Sequence, residues 1–255
     1  MTKITKAVIP AAGKGTRMRP LTNYLSKAML PLGKKPVLQH IIEELKEAGI
    51  QEIAVVAKSE DQQMIDYFQE DVSVQFLFDD TFSGPGRAIL QAESFINKED
   101  FVVAFADAPL KGVGKVSYLK DLISVKNKKE VMGVLAIYPI SKEEASSRGV
   151  VEFEVNKSTN DKGVRLTDII EKPSTIPAEP WAAACRYVLD GHVFEILKEI
   201  VPDDRGELQL TPAIRTMITG GDLVLGCPLA DGLTRYDTGN FEGYFNAVRA
   251  FISSQ

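Results

Sequence analysis

Val8-Ile9-Pro10-Ala11-Ala12-Gly13-Lys14-Gly15-Thr16-Arg17 is the stretch on which the reading of the chain turns. It joins a short apolar run, Ala7-Val8-Ile9, to a loop with two glycines one residue apart. Glycine reaches backbone angles closed to other residues, so this loop can turn tightly and aim several N–H groups at one ligand oxygen. Arg17 adds a guanidinium fork suited to a phosphate. Position 18 is Met rather than Gly, so the dinucleotide fingerprint is broken, and the G-x-x-x-x-G-K-[ST] spacing of a P-loop is absent. An ordinary strand-to-helix turn would use the same two glycines. It would not need the basic cluster of Arg17, Arg19 and Lys27 that follows.

Working outward, strand-like and helix-period segments alternate. Val37, Leu38, Ile41, Ile42 and Leu45 share one helical face that ends before Gly49. Ile53 to Ala57 reads as a buried strand, Val74 to Phe78 as a further strand, and Phe101 to Phe105 as a strand of continuous apolar character. Met64, Ile65 and Phe68, then Ala88, Ile89, Ala92 and Phe95, mark the helices between them. Such alternation predicts an α/β fold, with a mostly parallel sheet covered on both faces. After Pro109 the pattern loosens. Val116, Leu119, Leu122 and Ile123 form a helical face, and Val131 to Tyr138 a long strand. Val150 to Val155 runs into a polar turn, Asn156 to Gly163, which reads as a hairpin. Ala182 to Leu189 is strand-like, Thr211-Pro212 reads as a helix start with Thr as N-cap, and Phe241 to Ile252 as a helix. No internal repeat or long Pro/Gly/Ser linker divides the chain. Residues 1–255 are expected to form one domain, its two halves meeting near residue 110.

Composition narrows the classes. The 255 residues are 44% hydrophobic and 25% charged, ordinary for a globular enzyme. The net charge of −5 lacks the basic excess of a nucleic-acid binder. Cys185 and Cys227 stand far apart, and His40 and His192 are the only histidines, so neither a disulfide framework nor a zinc site is expected. No signal peptide or membrane-length apolar run is present, and a cytoplasmic location is expected.

Ala11 to Pro20 (AAGKGTRMRP), Leu21-Thr22 and Ser26 to Pro31 (SKAMLP) together resemble the opening signature of the sugar-phosphate nucleotidyltransferases. Gly206 to Thr211, Arg186 to Leu189 and Arg235 to Gly239 are similar to the family's uridylyltransferase branch. The resemblance runs from about residue 6 to 250 and implies a nucleotide-binding half over about 1–110 and a sugar-binding half over 111–255. It implies a Rossmann-like α/β/α sandwich (glycosyltransferase-A-like) with a small β insertion for the sugar. It implies transfer of a nucleotidyl group from UTP to a sugar 1-phosphate, glucose 1-phosphate first, with release of pyrophosphate. Mg²⁺ is the implied cofactor. The implied partners are the two small substrates, with no nucleic acid and no membrane; a homo-oligomer stays open.

Residue by residue, Ala11, Ala12, Gly13, Gly15 and Thr16 match the nucleotide loop, and Arg17 and Lys27 the cations facing the triphosphate. Asp107, at the carboxyl end of its strand, and Asp237 match the metal-holding aspartates. Two carboxylates plus phosphate oxygens and waters make a fitting Mg²⁺ shell; read locally, Asp107 could equally be a turn aspartate. Glu171-Lys172-Pro173 matches a motif whose Glu takes sugar hydroxyls and whose Lys takes the sugar phosphate, with an exposed ion pair as the plain alternative. Gly149 matches a glycine lying against the sugar, and Gly84, in Gly84-Pro85-Gly86, one packing on the base. Each could also be an ordinary strand-start or helix-start glycine. The chain departs from the family at Ser26 (usually Pro), Ala106 (usually Gly) and Asp79 (usually Gln). A carboxylate only accepts hydrogen bonds, so Asp79 suits the N3–H of uracil or thymine, or the N1–H and N2–H of guanine, better than adenine. GTP or dTTP with another hexose, and a catalytically weak nucleotide-sugar sensor on the same fold, are the competing readings.

Overall fold

The computed structural model describes residues 3–81, 83–128, 130–154 and 163–252. In chain order come β1 (Lys6–Pro10), β2 (Pro31–Leu32), β3 (Lys35–Pro36), α1 (Val37–Ala48), β4 (Glu52–Ala57) and α2 (Gln62–Phe68). β5 (Val74–Phe78), α3 (Pro85–Leu90), α4 (Glu93–Ile96), β6 (Phe101–Ala104), β7 (Leu110–Lys111) and α5 (Lys115–Lys126) follow. Then come β8 (Val131–Pro139), α6 (Lys142–Ala145), β9 (Gly149–Phe153), β10 (Val164–Glu171) and β11 (Trp181–Leu189). The last elements are α7 (Val193–Glu199), α8 (Leu210–Thr219), β12 (Leu223–Pro228), β13 (Thr234–Arg235) and α9 (Phe241–Ile252).

Nine strands form one sheet in the order β5-β4-β1-β6-β11-β8-β12-β10-β9. The expected parallel pairing holds from β5 through β6. Beyond β6 the sheet is mixed: β11 runs antiparallel to both β6 and β8, β12 is parallel to β8, and β10 is antiparallel to β12 and β9. β9 also pairs with the start of β11, so the pairings return on themselves through β8, β12, β10 and β9. The strand part of the expected hairpin is therefore present; its turn falls on 155–162, outside the described residues.

Side-chain alternation explains the layers. Ala7 and Ile9 of β1, Ile53 and Val55 of β4, and Val102 of β6 enter a core shared with Leu38, Ile41, Ile42 and Leu45 of α1. Their neighbours Val8, Ala54, Val56, Phe101 and Val103 point to the opposite face, against α7 and α8. Strands buried on both faces read as continuous apolar runs, which is how these appear in the sequence. Each fully buried Val, Leu or Ile contributes about 1.5–3 kcal/mol. α1 stops where expected: Gly49, at φ 104°, donates its N–H to Leu45 and Lys46.

Two local expectations need correction. The helical face from Ala88 to Phe95 is two helices, α3 and α4, broken at Gln91–Ala92. α8 begins at Leu210 with Gln209 as N-cap, not at Thr211. The Thr211 hydroxyl is spent elsewhere, donating to Glu171 Oε2 at 2.8 Å.

Because β1, β4, β5 and β6 run parallel, the loops after them gather at one sheet edge, where ligands bind in open α/β sheets. No helix among the described residues is long and apolar enough to cross a membrane.

Candidate functional site

A cleft of about 560 Å³ opens at that edge. Its lining includes Ala12, Gly13, Gly15, Thr16, Arg17 and Lys27 from the first loop, and Asp79 and Gly84 from the loop after β5. Asp107 follows β6, and Glu171 and Lys172 come from the end of β10.

The first loop does not run straight into a helix. It passes through three one-turn 3₁₀ segments, at Thr16–Met18, Leu21–Asn23 and Lys27–Met29. Gly15 takes φ 62°, and its carbonyl accepts the Thr22 hydroxyl at 2.8 Å. Met18, Ala28, Met29 and Leu30 are buried and anchor the segment, leaving Arg17 and Lys27 toward the cleft. Ala11 is the exception among the loop residues. It is buried and gives its N–H to Val56, at 2.7 Å, so it supports the loop from below and does not line the cleft.

Two distant segments are clamped to bring the aspartates together. β7 pairs with β13, Tyr236 donates its N–H to Pro109, and buried Thr238 donates its N–H to the Asp107 carbonyl at 2.9 Å. Gly239 shows the result. A Cβ on it would lie 3.0 Å from Asp237 Oδ1, 3.2 Å from Asp107 Oδ2 and 3.4 Å from Arg17 Nη2. Two carboxylates thus converge on one point with a guanidinium beside them.

Both carboxylates carry cationic partners. Lys27 Nζ lies 2.6 Å from Asp107 Oδ2. Burial pushes the Asp107 pKa up, but the Lys27 charge and hydrogen bond, with Arg235 and Arg17 behind them, win and hold it at about 2. Asp237 accepts the Gly239 N–H on Oδ1 and Arg148 Nη1 on Oδ2, at 2.9 and 2.6 Å. Among the described residues no group of three or more His, Cys, Asp or Glu side chains could hold a metal. Asp107 and Asp237 would offer an ion two carboxylates and no softer ligand, a set that fits a hard ion such as Mg²⁺, which takes one or two protein carboxylates with phosphate oxygens and water.

Gly149 does not line the cleft itself, but a Cβ there would meet Thr211 Oγ1 at 3.1 Å and Glu171 Oε2 at 3.5 Å. The Glu171 carboxylate is thereby placed between Thr211 and Gly149. Lys172 takes φ 48°, uncommon for a non-glycine residue, and donates its N–H to the Arg148 carbonyl at 2.9 Å. In the loop after β5, Asp79 is buried, and its Oδ1 accepts both the N–H and the hydroxyl of Thr81, at 3.0 and 2.5 Å. Gly84 and Gly86 let two backbones touch: a Cβ on either would fall within 2.5 and 2.8 Å of the Leu208 carbonyl oxygen. That contact carries the segment Arg205, Glu207 and Gln209 into the cleft.

Known proteins match the chain along its length. The profile of the nucleotidyl transferase family covers residues 6–254. The chain belongs to the nucleotidyl transferase family. This nucleotidyl transferase is 31% identical to a UTP–glucose-1-phosphate uridylyltransferase of Mycoplasma pneumoniae, over 97% of its own length and 92% of the relative's. A Bacillus subtilis protein of the same description is 32% identical, over 96% and 88%. The crystal structure of a UDP-glucose pyrophosphorylase complexed with UDP-glucose superposes with a TM-score of 0.88 at 31% identity, covering 99% of this chain and 100% of that one.

Reading the transferase from sequence left out Ser147, Arg205, Glu207 and Gln209 as lining residues, and Arg148 as the partner of Asp237. Arg205 to Gln209 fall within or beside a segment that carried the resemblance, which was a usable signal. Nothing in the spacing joins Arg148 to Asp237.

Proposed function

We propose that this nucleotidyl transferase joins UTP to glucose 1-phosphate, giving UDP-glucose and pyrophosphate. The observation that carries the reading is the convergence of Asp107, Asp237 and Arg17 on one point at the floor of the phosphate-loop cleft. The relatives' descriptions supply the choice of UTP and glucose. One continuous nine-stranded sheet supports the single-domain reading.

A sugar-phosphate oxygen is already anionic at neutral pH, so the attack needs no strong base. It forms a bond to the α-phosphorus, and the bond to the bridging oxygen breaks, its electron pair leaving on pyrophosphate. The barrier lies in bringing two polyanions together, which positioning and preorganised charge relieve. Arg17 and Lys27 face the triphosphate from the first loop. Lys172 takes the sugar phosphate, and Glu171, oriented by Thr211, accepts sugar hydroxyls across Gly149. Ala12 and Gly13 offer backbone groups to the base edge, while Asp79 accepts the N3–H of uracil. Gly84 keeps the base side open by letting Leu208 pass close. Mg²⁺ held by Asp107 and Asp237 would supply positive charge to the phosphate oxygens. Pyrophosphate release, measured with each nucleoside triphosphate against a panel of sugar 1-phosphates, tests the reading; no release with UTP and glucose 1-phosphate would sink it.

Two variants test the halves of the cleft. Lys172→Ala is expected to raise the sugar 1-phosphate KM about tenfold or more while leaving the UTP KM near its starting value, because about 1.4 kcal/mol is a modest loss for one charge-assisted contact. Steady-state kinetics with each substrate varied in turn decides this; unchanged sugar-phosphate KM and kcat would make Lys172 a surface residue. For the base, UTP is expected to exceed ATP by at least about tenfold in kcat/KM, since adenine N1 would meet Asp79 lone pair to lone pair. Asp79→Gln should keep or improve UTP use. A wild-type preference for GTP that this substitution abolishes would reassign the base and leave the reaction standing.

A further inference from the structure

The two aspartates sit in a surplus of positive charge. Lys27 and Arg148 touch them at 2.6 Å, Arg235 Nη2 lies 4.0 Å from Asp237 Oδ2, and Arg17 borders the same Gly239 cradle. Four cations thus surround two carboxylates. A polyanion is welcome there, whereas a bare divalent ion meets repulsion from every side.

The two arginines nearest Asp237 share one feature and differ in another. Arg148 contacts Asp237 through Nη1, its side chain keeps 22% exposure, and its Nε, like that of Arg235, is buried without a partner among the described residues. Its backbone is fixed, because its carbonyl accepts the Lys172 N–H and it abuts the first residue of β9. Any displacement of Arg148 from Asp237 is therefore confined to its side chain. Arg235 is only 5% exposed and lies against Tyr138 and Cys185, at 3.4 and 3.6 Å.

We propose that Arg148 is a built-in counter-cation on Asp237 that a divalent ion has to displace. The inference rests on the reading of Asp107 and Asp237 as the metal-holding pair. Whichever oxygen of Asp237 the ion takes, it shares one carboxylate with a guanidinium 2.6 Å away. The two cations compete, so metal alone binds weakly. Metal arriving on a nucleotide brings negative charge with it, and that charge offers the displaced guanidinium a new partner. Arg148 acts here as a positioning residue: it holds Asp237 aligned toward Gly239 until the ion arrives, and it couples metal binding to nucleotide binding.

The test is Mn²⁺ binding to the nucleotide-free protein, read from the electron paramagnetic resonance signal of the free ion. Arg148→Met is expected to bind Mn²⁺ at least about fivefold more tightly than the wild type, the low end of coupling between competing ligands. Arg148→Lys, which keeps the charge, should stay near the wild-type value and guards against a folding defect in the first variant. Asp107→Asn in the Arg148→Met background should abolish the gain. A purely structural arginine would give the opposite sign, because its loss would disorder Asp237 and weaken Mn²⁺. Equal or weaker binding by Arg148→Met, where binding depends on Asp107, overturns the inference and leaves the metal pair standing. Binding indifferent to Asp107→Asn in every variant overturns both.

Discussion

Asp107→Asn is expected to lower turnover by about 10³-fold or more, roughly 4 kcal/mol of transition-state stabilisation, in a protein that remains folded. Asparagine keeps the shape of the side chain and its carbonyl oxygen but loses the charge that a hard cation needs. Asp237→Asn should behave alike, since both carboxylates converge at Gly239. Steady-state pyrophosphate release at saturating Mg²⁺ measures the loss, with circular dichroism to show that the fold persists. Turnover at the wild-type level in either variant would remove that aspartate from the metal pair. The same residue makes a pH statement. Its folded pKa of about 2 lies below the unfolded value, so its stabilising contribution is complete above about pH 4 and is lost as pH falls toward 2. The stability gap between wild type and Asp107→Asn should accordingly close over that interval in denaturant titrations. A gap that stayed constant down to pH 2 would mean that the Lys27 contact does not hold the carboxylate charged.

How much of this was legible beforehand depends on the range of the interaction. Strands β1, β4 and β6 were readable because a strand buried on both faces is apolar along its buried length, as Phe101 to Ala104 is throughout; β5, at the sheet edge with Gln75 and Phe78 exposed, was readable from its run of apolar and aromatic residues alone. α1 was readable from its period and from Gly49. The mixed half of the sheet was not, because alternation identifies a strand without saying which neighbour it pairs with or in which direction. Thr211 misled for a physical reason: a threonine before proline has the form of an N-cap, but its hydroxyl found a stronger acceptor in Glu171, distant in sequence. In the site, the loop residues were legible through glycine spacing and basic charge. Ala11 belonged to the same motif, yet its buried N–H serves Val56. The clamp joining Asp107 to Asp237 runs through backbone bonds of Thr238 and Tyr236, and backbone bonds leave no trace in residue identity.

The largest expected loss of stability lies behind the site, at a pair whose burial the sequence did not disclose. Arg186 and Glu44 are 0% and 1% exposed, and they meet as a two-pronged pair, Nε to Oε1 at 2.8 Å and Nη2 to Oε2 at 2.9 Å. The remaining arm, Nη1, donates to the carbonyls of Ala108 and Cys185 at 3.1 and 3.0 Å. One guanidinium therefore ties α1, β11 and the loop that carries Asp107. Arg186→Met should cost about 3–5 kcal/mol, because it strands the Glu44 carboxylate in an apolar core. The double variant Arg186→Met with Glu44→Leu should recover most of that, since a buried pair is often replaced by apolar groups of similar volume at little net cost. Urea titration of the two variants separates the cases. Equal losses in both would show that packing, rather than the uncompensated charge, sets the cost. Catalysis should not recover in parallel. The double variant still lacks the bond to the Ala108 carbonyl, one residue beyond Asp107, so its turnover is expected to stay about tenfold down, roughly 1.4 kcal/mol. Loop placement of that order matters where a catalytic carboxylate must stay within a fraction of an ångström of its working position. A double variant restored in both stability and turnover would confine Arg186 to the core and leave the placing of Asp107 to Lys27 and to the clamp of β7, β13, Tyr236 and Thr238.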